Sequence, residues 1–206
     1  MRHTTRGWPL LRMQYGPAPF PFVKSFHLHK AAAIINPCMA LEHSKKYTFR
    51  FGSTKIVFSR SPHETEFHVY ARALVFALFH KRYPTIRVEA KVDERFSPDL
   101  SAEDYDGTMI LWAECGNVSI NKIEKLFRKY RKAHFVFVRE ERDVPLFEKQ
   151  LDKMAKDMKS RPLVDIVVYP QNFQEWNVSE EGDVYVNRDD VTVISWNDPG
   201  LRKKYF

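Results

Sequence analysis

Two acids and an absent lysine define the stretch SPDLSAEDYDGTMILWAECG, residues 97–116. Asp99 follows a proline. Asp104-Tyr105-Asp106-Gly107 reads as a turn, and the apolar run after it ends in Glu114. Two carboxylates on adjacent strands of a hairpin can share a hard divalent cation, typically Mg²⁺, which takes carboxylate oxygens and keeps several waters. Such an ion polarises a phosphodiester and activates a water. A lysine commonly completes a site of this kind by orienting the water or neutralising developing charge. Two residues beyond Glu114, where that lysine would stand, the chain has Gly116. Strand alternation predicts Glu114 and Gly116 on one face and Cys115 on the other, as a small core residue.

Each of these residues has an ordinary reading beside the chemical one. Asp99 also fits a strand entry, and Asp104 and Asp106 are best read as turn chemistry. Glu114 is harder to dismiss, because an acid that ends an apolar strand is partly buried and needs a partner. Glu64 offers a third acid. With Ser61 three residues ahead and Pro62 between them, it also completes a helix-capping box, which is the stronger reading. Glu64, His68 and Arg72 lie four residues apart on an otherwise apolar helix. That stripe could bring Glu64 to a metal and His68 and Arg72 to a substrate phosphate, or it could be a surface ion pair. Lys122 and Lys125 are the candidate replacements for the absent lysine. Lys122 flanks the apolar stripe of the next helix, and Lys125 lies further round toward solvent.

The elements that must position these residues are legible. YTFRF and KIVFS, around Gly52-Ser53-Thr54, predict a hairpin. A helix is predicted from Ser61 to about Phe79, apolar on most sides and so buried against a sheet. Strands are expected at Ile86–Val92, Leu100–Glu103 and Thr108–Cys115. Ser119 caps a helix with Ile120, Ile123, Phe127 and Tyr130 at helical spacing. HFVFVR, from His134 to Arg139, follows as a buried strand, so strand, helix and strand make a parallel crossover. An amphipathic helix at Val144–Lys159, a buried strand at Leu163–Tyr169 and a terminal hairpin at Asp183–Ser195 around Asn187–Asp190 complete the pattern. The fold class is a single α/β domain, a central mixed β-sheet flanked by helices with a C-terminal β-hairpin.

Bulk properties narrow the function classes. No run of about 18 apolar residues is present, which predicts no membrane span and no membrane partner. Cys38 and Cys115 are too few for a disulfide framework or a zinc quartet, which fits a reducing cytoplasm. The net charge is +7, but five Lys or Arg and no acid fall in residues 1–38; without them, 28 basic face 26 acidic residues, a net of +2. The charge of the folded part is therefore a weak sign of nucleic-acid binding. Residues 1–38, with five prolines and no sustained period, read as an irregular or disordered extension. A start at Met39 is preferred to a targeting peptide.

The chain resembles the YaeQ family. MALEHSKKYTFRF is similar to that family's opening and supports a 39–206 domain. PHETEFHVYARALVFAL resembles its first helix at Glu64, Thr65, Arg72 and Phe76-Ala77-Leu78. PDLSAEDYDGTMILWAECG resembles its central hairpin at Pro98, Asp99, Leu100, Asp104, Gly107, Leu111, Trp112 and Gly116. The resemblance implies a restriction-endonuclease-like core, a variant of the PD-(D/E)xK nuclease fold. Asp99 and Glu114 take its two acid places and Glu64 its helix acid. The superfamily's lysine is replaced by glycine in the family too, so Gly116 is a family feature. Two functions are expected. One is Mg²⁺-dependent phosphodiester hydrolysis of DNA or RNA, with Asp99 and Glu114 as metal ligands. The other is a catalytically inactive nuclease-fold module that binds nucleic acid or protein.

Overall fold

The computed structural model describes residues 44–92 and 95–197. The expected 1–38 extension and its boundary at Met39 lie outside the described residues. Strands β1 (Lys45–Phe51) and β2 (Thr54–Arg60) form the expected antiparallel hairpin, turning at Gly52-Ser53. They make a two-stranded sheet of their own.

Helix α1 spans Glu66–Phe79 and is capped at Thr65, so it begins four residues later than the capping box predicts. Ser61 and Glu64 do bond each other, through Glu64 N–H to Ser61 C=O at 3.0 Å and Ser61 N–H to Glu64 Oε2 at 3.1 Å. The pairing closes a turn ahead of the helix. The other Glu64 oxygen, Oε1, meets Arg72 at 2.8 Å.

The main sheet holds β3 (Arg87–Val88), β4 (Leu100–Glu103), β5 (Met109–Glu114), β6 (His134–Arg139), β7 (Leu163–Val168) and β8 (Val193–Ser195), side by side in that order. It is mixed: β5, β6 and β7 run parallel, and the other pairs are antiparallel. Helix α2 (Ile120–Lys129) makes the predicted crossover from β5 to β6, and α3 (Val144–Met154) the crossover from β6 to β7. Gly107 turns the β4–β5 hairpin at φ +79°, a conformation that suits a residue without Cβ.

Alternation along the parallel strands sorts two cores. Leu111, Ala113, Val136 and Val138 pack with α1 and the β1–β2 hairpin. Trp112, Phe135 and Phe137 pack with Ile123 and Phe127 of α2 and Phe147 and Leu151 of α3. A parallel sheet covered on both faces explains why HFVFVR reads as an unbroken apolar run. At the amino ends of these strands buried His134 is held between the Tyr83 hydroxyl at 2.8 Å and Asp165 Oδ2 at 2.9 Å. That joins the segment after α1 to β6 and β7.

Two expectations are corrected. The predicted strand at Ile86–Val92 pairs only over Arg87–Val88, because Glu89 leaves the extended region at φ +50°. The predicted terminal hairpin is not formed. Residues Arg188–Asp190 make a 3₁₀ turn, and β8 pairs with β7 through Ile194 and Ile166. The 183–184 stretch bridges to Arg50 and Val178 instead. Burial of Val193 and Ile194 in the two cores outweighs local pairing across the turn. A short helix α4 (Phe173–Asn177) follows β7.

Candidate functional site

The site forms where β4, β5 and β6 meet the first turns of α1 and α2. Asp99 stands just before β4, its N–H bonded to Ala113 C=O at 3.0 Å, so it sits beside the end of β5. Its Oδ2 accepts the Cys115 N–H at 2.7 Å. His68 Nε2 lies 2.7 Å from Oδ1, brought there by α1 packing over that face. Burial pushes the Asp99 pKa up. His68, the Cys115 amide and more distant Arg72 outweigh it and leave the carboxyl below its ordinary range.

Glu114 ends β5 and is buried. Its Oε1 accepts from Trp112 Nε1 at 2.8 Å and meets Lys122 Nζ at 2.7 Å. Lys122 reaches it because Ser119 caps α2, with Oγ accepting the Lys122 N–H at 3.3 Å. Ile123, Leu126 and Phe127 then turn the helix inward and leave Lys122 beside the carboxyl end of β5. Burial holds the Glu114 carboxyl above its ordinary range despite Lys122 and Trp112, and Asp99 adds repulsion. The two acids are thus driven in opposite directions, an arrangement that separates an ionised carboxylate from one that retains protons more readily.

The other predicted residues fall in distinct places. Lys125 is exposed and forms no ion pair among the described residues. His68 is turned to Asp99, with Glu64 Oε1 3.7 Å away. Arg72 is 1% exposed. Its guanidinium meets Glu64 Oε1 at 2.8 Å, Ser59 C=O at 3.0 Å and the Glu89 carboxylate. A group so enclosed has little left to offer a substrate phosphate, contrary to the sequence expectation. Arg139 was missed. It ends β6, two residues past Phe137, the partner of Glu114. It donates to Gly116 C=O at 2.9 Å and lies over the Phe147 ring at 4.1 Å. Burial lowers its pKa to about 10, so it remains a cation at neutral pH. Its signal was available: a charge that ends an apolar strand, as at Glu114.

Gly116 has a physical reason. β5 stops at Glu114, and alternation does not carry on to put Gly116 beside it. A Cβ built there would stand 3.2 Å from His68 Nδ1 and 3.3 Å from its Cε1. The imidazole occupies the space a longer side chain needs. Gly116→Ala is expected to destabilise the fold by about 1–3 kcal/mol in urea unfolding, as overpacking does. In a His68→Ala background the cost should shrink; equal costs in both would contradict this contact.

Among the described residues no three His, Cys, Asp or Glu side chains gather as a metal chelate. Magnesium does not require one, since one or two carboxylates plus waters suffice. By type, Asp99 and Glu114 offer the oxygen donors such an ion takes: Asp99 favours its ionised form, and Glu114 Oε2 has no hydrogen-bond partner among the described residues.

The profile of a family described as YaeQ protein matches residues 39–168. The crystal structure of a YaeQ protein from Pseudomonas syringae is similar, with 20% identity, a TM-score of 0.51, and coverage of 74% of this chain and 89% of that one. A YaeQ protein from Xanthomonas axonopodis pv. citri shares 19% identity at a TM-score of 0.49, covering 69% and 80%. The first likeness shows the fold. No curated protein matches, and among the described residues no helix is long and apolar enough to cross a membrane.

Proposed function

The chain belongs to the YaeQ family, and on that premise we propose that it is a Mg²⁺-dependent, nuclease-like hydrolase of phosphodiesters with a restriction-endonuclease-like core. The observation that carries this reading is the 2.7 Å contact between Lys122 Nζ and Glu114 Oε1. An ammonium stands beside the strand-end acid although residue 116 is glycine, so the charge lost from the strand returns from α2.

Asp99 and Glu114 would hold the ion. Bound Mg²⁺ would polarise the phosphoryl group and lower the pKa of a coordinated water. The protein's own groups do the rest. His68 and the Cys115 amide orient Asp99, and Trp112 orients Glu114. Lys122 supplies a cation where negative charge develops on the phosphoryl oxygens. Arg139 holds Gly116 C=O and adds positive charge behind the acids. Arg72 takes a positioning role through Glu64, in place of the phosphate contact.

The full-length chain is expected to cut single- or double-stranded DNA or RNA in Mg²⁺, to stop in excess EDTA, and to resume when Mg²⁺ is restored. No cutting of any of the four polymers in Mg²⁺ would overturn the reading. One observation favours the alternative, a non-catalytic module that binds nucleic acid or protein. Both Asp99 oxygens already have internal donors. On that reading binding persists in EDTA and without Glu114.

A further inference from the structure

The sequence offers little reason to expect nucleic acid, because positive charge outside the extension is nearly balanced. The fold redistributes that charge. The carboxyl end of α2 and the segment leading into β7 carry Arg128, Arg131 and Lys159 to one cleft of about 430 Å³. No carboxylate lines it among the described residues. Arg128 is already paired with Glu124 at 2.8 Å, but Arg131 and Lys159 form no ion pair among the described residues. Arg131 Nε donates to Arg128 C=O at 3.3 Å, which restrains its guanidinium.

Cations at a helix carboxyl end commonly answer the helix dipole. That accounts for Arg128. It does not account for Lys159 and Ser160, which reach the same cleft from a different segment, nor for a wall built from Phe127, Met158 and Pro162. Guanidinium, ammonium and hydroxyl donors around one hollow match a phosphate, and Arg is suited to bind it bidentately. The cleft has the size of a small-molecule site and exceeds the need of a bare anion. Met158, half-buried beside the buried Phe127 and Pro162, offers apolar surface to the sugar or base that carries the phosphate.

We propose that this cleft binds the terminal phosphate monoester of a nucleoside, either a free nucleotide or the 5′ end of a strand. It is separate from the carboxylates. Arg128 and Arg131 precede β6 and Ser160 precedes β7, at the amino ends of the strands, whereas Glu114 lies at a carboxyl end. Along helix α2, Lys122 at Glu114 and Arg128 at the cleft are six residues apart, a rise of about 9 Å. The proposal does not rest on hydrolysis.

The test uses the full-length chain in EDTA. Anisotropy of a 3′-labelled ten-nucleotide oligomer is compared with and without a 5′-phosphate, and AMP is titrated by calorimetry. A 5′-phosphate should tighten binding about tenfold. Arg131→Gln combined with Lys159→Gln should remove the difference; both positions are exposed. Glu114→Ala should leave it intact, which keeps this outcome independent of cleavage. AMP binding that the double variant abolishes, without discrimination between the oligomers, assigns the cleft to free nucleotides. Neither AMP binding nor a 5′-phosphate preference, or either one surviving unchanged in the double variant, overturns the proposal.

Discussion

Glu114→Ala is expected to abolish Mg²⁺-dependent phosphodiester cleavage, and Lys122→Ala to slow it by about 10²–10³-fold. The order of the two effects follows from their places. Glu114 is one of the two carboxylates assigned to the ion, and its loss leaves Asp99 with both oxygens engaged by His68 and Cys115. Lys122 acts on charge that develops during reaction, so its removal leaves ion binding possible. It also unpairs Glu114, whose carboxyl burial already holds above the ordinary range. Lys122→Arg should recover part of the rate, since a cation remains, though a planar guanidinium cannot reproduce a point ammonium. Added methylamine should raise the rate of Lys122→Ala but not of Glu114→Ala, a response that a purely structural lysine would not give. Lys125→Ala should behave as the parent. Cleavage that survives Glu114→Ala unchanged removes this acid from the site, and loss of activity in Lys125→Ala alone would move the role to the exposed lysine.

The different fates of Lys122 and Lys125 show what a single sequence can deliver. Both lie on α2, three residues apart, and both precede an apolar stripe. Helical period placed Lys122 nearer the sheet, and the structure agrees, because the Ser119 cap fixes where the helix starts. The buried strands were legible for a similar reason: a run such as HFVFVR is covered on both faces by local apolar content alone. The hairpin that carries Asp99 and Glu114 was legible because a turn signal lies between its strands, although a bulge at Ala102 and Glu103 shifts the register.

Two of the errors share another cause. The start of α1 moved from Ser61 to Thr65, although Glu64 keeps the Ser61 amide on Oε2 while Oε1 meets Arg72, eight residues on. Val193 and Ile194 joined β7, whose edge was unpaired, in preference to a neighbour across a turn. Gly116 yielded its space to His68, 48 positions earlier in the chain. For β8 and Gly116 a contact distant in sequence overrode a local pattern, which is where reasoning from propensity is weakest. Arg139 carries the same local signal as Glu114, a charge at the end of an apolar strand, one strand away.

Arg72→Ala is expected to cost about 3–5 kcal/mol in urea unfolding, the range seen when one member of a buried ion pair is removed. Arg72 is enclosed, its guanidinium 5.5 Å from the Phe58 ring centre and bonded to Glu64, Glu89 and Ser59 C=O. It fastens β2 to α1 and both to the segment ahead of β4. Glu89 adopts a left-handed φ of +50°, unusual for a residue with a side chain, and its contact with Arg72 offsets that strain. The three acceptors would not suffer equally. Glu89 is about half exposed and can turn to water, whereas the Glu64 side chain is only 13% exposed. Most of the loss should therefore come from the Glu64 carboxylate left beside a cavity. This separates a buried charge from mere packing. Arg72→Met keeps the stem and removes the cation, so it should remain destabilised. Arg72→Met with Glu64→Leu should recover stability, because no uncompensated carboxylate is left. If the double variant is no more stable than Arg72→Met, the cost lies in packing against Phe58. If Arg72→Ala costs less than about 1 kcal/mol, the guanidinium is not the fastening between hairpin, helix and sheet.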